Sequence, residues 1–111
     1  MITLYHDAKS IAGRPDPDAF AKLGAEYERF TQSVRATGSF VDGNPLKTEV
    51  KTVRQSNGKA VAADGPSHAS PEGMVGYYIL ELPSMTAAVE AASRIPAAKL
   101  GSVEIREFMD M

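Results

Sequence analysis

The sequence predicts an α+β fold in which two helices cover one face of a mainly antiparallel sheet. Three observations carry that reading. Short segments alternate polar and apolar residues, two segments repeat their apolar residues every three or four positions, and tight turn signals separate them, Asn57-Gly58 above all. At 111 residues the chain fits one domain, residues 1–111, around a single core.

Residues 2–6 read as a first strand, with Ile2, Leu4 and His6 on one side and Thr3 and Tyr5 on the other. The loop Ala12-Gly13-Arg14-Pro15 ends it. Asp16 is placed to cap a long helix with Pro17 at its first position, where the missing N–H is harmless, and Asp18 faces the positive end of the helix dipole. The apolar stripe of that helix is Phe20, Leu23, Tyr27, Phe30 and Val34, and Gly38 marks its stop.

The turn signals Asp42-Gly43-Asn44-Pro45 predict a break before a second β region at about residues 47–55. That strand has no fully apolar face, which suits an edge or the lining of a wet cavity. Asn57-Gly58 predicts a hairpin returning through Lys59-Ala60-Val61-Ala62-Ala63. A further strand over residues 75–82 places Tyr77 and Ile79 on one face and Tyr78, Leu80 and Leu82 on the other. Ser84 caps a second, Ala-rich helix over residues 85–94, which Pro96 ends. The last strand runs from Ser102 to Phe108.

That order suggests the ferredoxin-like arrangement with an added hairpin. Two helices leave the other sheet face uncovered, and that face mixes apolar with charged groups. Pairing two such faces about a two-fold axis solves the exposure and predicts a homodimer, a dimeric α+β barrel with a partly polar interior in which a small molecule would sit.

Hydrophobic residues make up 43% and charged residues 23%, ordinary globular usage. A net charge of −2 without a basic, aromatic-interleaved cluster argues against nucleic acid as a partner. The absence of cysteine excludes disulfides, thiol nucleophiles and Cys-ligated metals. Neither a signal peptide nor an apolar run near the ~20 residues of a membrane span is legible, so no membrane association and a cytoplasmic location are expected. No phosphate loop or GxGxxG is present, and no cofactor is expected.

Asp64-Gly65-Pro66, with Glu72 and Gly76-Tyr77-Tyr78 following it, resembles the DGPF branch of the YCII-related family, small bacterial α+β proteins that pair into dimeric barrels. Thr52-Val53-Arg54 and the segment from Gly101 to Arg106 add to the likeness, which covers nearly the whole chain. Ser67 and Ala69 stand where such proteins usually carry Phe and an acidic residue. The resemblance implies a catalytic His on the first helix and an Asp before the Pro that follows the second; by position this chain has Tyr27 and Ile95 there. An imidazole to move protons and a carboxylate to orient it are both missing, so that dyad is not carried over. The family link also implies two other roles: a lyase or dehydrochlorinase-like activity on ring compounds, and a regulatory module linked to a sigma factor.

From the residues themselves, His68 lies four positions before Glu72 and four after Asp64, a spacing from which a carboxylate-assisted acid or base could be built. Asp-Gly-Pro is equally an ordinary turn in which the Asp carboxylate bonds the backbone and His68 is solvated. One of Tyr77 and Tyr78 faces the expected cavity and could orient a ligand, or both are amphipathic core residues. Arg54 and Arg106 could grip an anion, or pair with Glu49, Glu104 or Glu81 across strands. His6 and His68 lack a short paired-ligand motif, and no metal is expected.

Overall fold

The computed structural model describes residues 1–7 and 17–110. The expected loop at residues 12–15, the Asp16 cap and the packing of the Phe20 side chain fall outside what is described. The elements run β1 (Ile2–Asp7), α1 (Pro17–Ala36), β2 (Phe40–Pro45), β3 (Lys51–Ser56), β4 (Lys59–Asp64), β5 (Glu72–Leu80), α2 (Met85–Ser93), α3 (Ala97–Leu100) and β6 (Gly101–Ile105). The fold is α+β. Four strands form an antiparallel sheet in the order β2-β5-β1-β6, and β3 with β4 forms a separate two-stranded sheet.

Pairing fixes the two faces. Ile2 sits between Tyr78 and Ile105, and Leu4 between Gly76 and Val103, so these residues share one side of the sheet with His6. Against that side pack Phe30 and Val34 from α1 and Ala92 from α2, in one buried cluster with Ile95 and Ala97. Both longer helices therefore cover the same face. Thr3, Tyr5, Tyr77, Ser102 and Glu104 lie on the opposite, open face. Among the described residues, the Thr3 hydroxyl there is buried without a hydrogen-bond partner.

Local signals hold where they decide the structure. Gly38 closes α1 at φ 76, its N–H donating to the Arg35 carbonyl while that of Ser39 donates to Val34. The Ser84 hydroxyl accepts from the Ala87 N–H at 3.1 Å and starts α2. Asn57 and Gly58 take φ 53 and 77, the positive pair that a type I′ hairpin requires.

Five elements depart from expectation. Phe40–Pro45 is a strand, not a turn, because its main chain completes the ladder with β5; at Gly43 a Cβ would stand 2.7 Å from the Tyr78 ring. The strand expected from residue 47 begins at Lys51, and β5 begins at Glu72, which takes that carboxylate out of the loop. Pro96 ends α2 and also starts the short α3, giving three helices among the described residues, because proline fits the N-terminal end of a helix as well as it blocks the interior of one. The last strand stops at Ile105, leaving Phe108 exposed beyond it.

Candidate functional site

A cavity of about 560 Å³ lies between α1 and the helix-covered side of β1, β5 and β2. Small residues open it. Gly24 on α1 faces empty space, while Gly43 and Gly76 on the opposing strands lack side chains where the Tyr78 ring and the Asn44 carbonyl approach. Leu4, Leu23, Phe40 and Val75 make much of the wall apolar, and Glu28 and Arg35 bring charge to its lining. Arg35 stands over the Phe40 ring at 4.2 Å.

Two polar pairs cross the cavity wall from sheet to helix. His6 Nε2 lies 2.7 Å from the Tyr27 hydroxyl, and the two rings stack with centroids 6.1 Å apart. The imidazole is only 2% exposed. The alternation of β1 puts this ring on the core side, and the Tyr27 position in the stripe of α1 turns the phenol to meet it. Thr31 Oγ1 donates to the Tyr27 carbonyl at 3.0 Å, which leaves its oxygen to accept from the Tyr78 hydroxyl at 2.9 Å. Burial pushes the Tyr78 phenol above its ordinary value; the Thr31 bond opposes this and nearby Glu28 adds to it. A phenol held neutral and an imidazole paired with a second phenol supply donors and acceptors inside a partly apolar chamber. That set can orient a polar group on a mostly apolar ligand and can pass a proton.

The residues singled out by sequence are dispersed. His68 lies exposed in the loop before β5, and among the described residues no hydrogen bond joins it to Asp64 or Glu72. The Asp64 carboxylate reaches across the hairpin to Lys51 at 2.9 Å rather than to turn N–H groups. Glu72 accepts from the Ser102 hydroxyl at 3.0 and 2.9 Å on the open face. Tyr77 donates to Asp42 on that same side. Arg54 donates to the Ser67 carbonyl at 3.3 Å, and Arg106 pairs with Glu104 at 2.7 Å. Tyr78 stands in the wall of the cavity paired with Thr31, and Tyr77, which also contributes to the lining, accepts from Asn44 at 2.9 Å.

His6, Tyr27 and Thr31 were missed as a group. The signal for His6 was its place on the same strand face as Ile2 and Leu4, where a polar ring requires a partner. The Ile95 side chain is 1% exposed within the core and brings no charge to the cavity. Among the described residues no cluster of three or more His, Cys, Asp or Glu side chains could hold a metal, and no helix is long and apolar enough to cross a membrane. A family model, described as the YCII-related domain, matches residues 1–111. No curated protein matches the chain.

Proposed function

The chain belongs to the YCII-related domain family, and on that premise we propose that it binds a small molecule in the cavity beneath α1. The carrying observation is the cavity itself: about 560 Å³ falls in the range of ligand pockets, and two polar pairs converge on a wall to which Leu4, Leu23, Phe40 and Val75 give large apolar stretches. The suited ligand is largely apolar, with one or two hydrogen-bonding groups to meet His6, Tyr27, Thr31 or Tyr78. Amide chemical-shift mapping against a library of small aromatic and alicyclic compounds tests this. Binders should perturb β1, α1 and β5 together, and Gly24→Phe, which fills the cavity from α1, should abolish their effect. Binders that map elsewhere, or that persist in Gly24→Phe, would overturn the assignment.

A second reading, an acid-base enzyme, is favoured by the 2.7 Å approach of His6 Nε2 to the Tyr27 hydroxyl. In it the imidazole comes from β1 and its partner from α1. Turnover of a ligand found by the mapping, lost in His6→Gln with binding retained, separates enzyme from binder.

We further infer a homodimer with the ferredoxin-like topology and a barrel between two sheets. Omitting the β3–β4 hairpin and the short α3 leaves the order β-α-β-β-α-β with strands arranged β2-β5-β1-β6, which supports the topology. One face of the sheet is covered by helices and the other is not, which supports pairing through the open side.

A further inference from the structure

We propose that the cavity beneath α1 takes a monocarboxylate, its head on Arg35 at one end and its apolar body, about 10 Å long, reaching toward His6 and Tyr27 at the other. This rests on the small-molecule reading and names the class of ligand and its orientation. The Arg35 guanidinium carries it. Lys51, Arg94 and Arg106 are each held by a carboxylate, at 2.9, 3.1 and 2.7 Å. Arg35 lines the cavity, yet among the described residues no carboxylate lies within ion-pair distance of it and no acceptor takes a hydrogen bond from its side chain. It stands instead over the Phe40 ring at 4.2 Å, a contact that holds it at the cavity end and leaves its donors unused. A planar fork held in this way matches the two oxygens of a carboxylate.

Spacing on α1 gives the cavity its length. Tyr27, Thr31 and Arg35 follow one another at steps of one helical turn, which places Tyr27 about 12 Å along the axis from Arg35. β1 brings His6 to the Tyr27 end, where imidazole and phenol form a polar pair. Between the ends, Leu4, Phe40 and Val75 offer apolar surface, and the Thr31 and Tyr78 hydroxyls satisfy one another. An apolar body therefore crosses the middle without stranding a polar group.

Glu28 gives the cavity its polarity. It lines the same stripe of α1 roughly two turns before Arg35, and its Oε1 accepts from the Gln32 amide at 3.4 Å. An anionic head is repelled there and drawn to Arg35, which sets the direction in which the ligand lies. The same carboxylate limits the ligand to one negative charge, because a phosphate monoester or a dicarboxylate brings a second that Arg35 alone does not offset. Arg35 is an exposed residue, so the bound head keeps part of its water and little desolvation opposes the pairing.

Chemical-shift titrations with octanoate and octanamide, which share one chain and differ in charge, test the assignment on the wild type, Arg35→Gln and Gly24→Phe. Because position 35 is exposed, far-UV circular dichroism of Arg35→Gln should match the wild type. The wild type should bind octanoate about fivefold or more tighter than octanamide, and added salt should narrow the gap. Arg35→Gln should bind the two alike with its affinity for octanamide unchanged, and Gly24→Phe should bind neither. Equal binding of acid and amide by the wild type, or an acid preference that survives Arg35→Gln, overturns the carboxylate head and leaves the cavity standing as a ligand site. Shifts confined to other elements, or no shifts with either compound, overturn it as well, and the cavity reading then rests on the neutral compounds of the library.

Discussion

At the scale of single residues, Tyr78 links burial to pH. Its phenol is pushed above the ordinary value of 10.0, first by burial. The folded form therefore keeps its proton to higher pH than the unfolded chain does. The stability this contributes is fully present below about pH 10 and is lost as pH rises through the folded value. Tyr78→Phe should lower stability at pH 7 by about 1 kcal/mol through the lost Thr31 bond, and should flatten the alkaline decline. Urea titrations between neutral pH and pH 11 check both; an equally steep decline in the variant would assign it to other groups. Asp64 behaves differently from what its turn motif suggests. Its partner is Lys51, with both side chains largely in solvent, so Asp64→Ala should cost less than about 0.5 kcal/mol in a thermal melt. His68→Ala, in an exposed loop, should change stability by less than about 1 kcal/mol.

Elements respond to backbone approach more than to side-chain chemistry. At Gly101, opposite His6, a Cβ would run into the Tyr5 carbonyl and stand 2.9 Å from His6 Cα. Its φ of −177 suits any residue, so the obstacle is purely steric. Gly101→Ala should push β6 from β1 and cost more than about 2 kcal/mol, read from denaturant unfolding. Gly58→Ala should act in the opposite manner. Its φ of 77 strains an L-residue by about 1 kcal/mol, but the ribbon packs on little, so hydrogen exchange in β3–β4 should rise while the global melting temperature stays put. The same contrast explains what was legible. The stripe of α1, the Ser84 cap and the Asn57-Gly58 turn are set by neighbours in sequence, and each is readable there. β2 was not, because Gly43 serves the Tyr78 ring, a contact made only after folding, and its Asp-Gly-Asn-Pro composition imitates a turn. The cavity was hidden for a related reason: His6 could be placed on the core face, but Tyr27 and Thr31 reach the wall from another element. A motif close in sequence, Asp64 to Glu72, drew attention to a loop whose members disperse.

In the whole molecule, β1 lies inside the main sheet, between β5 and β6, although it comes first along the chain. Both its partners lie in residues 72–105. During synthesis α1 and the β3–β4 ribbon can form from local contacts, but no strand of the main sheet can pair until Glu72–Leu80 has emerged. A fragment ending at residue 71 should therefore show partial helicity without a cooperative melt, measurable by circular dichroism. Meanwhile Ile2 and Leu4, nearly inaccessible in the finished fold, wait uncovered in the growing chain. The period of greatest exposure to aggregation, and of greatest need for a chaperone, is set by the order in which the ribosome makes the strands rather than by the stability of the product.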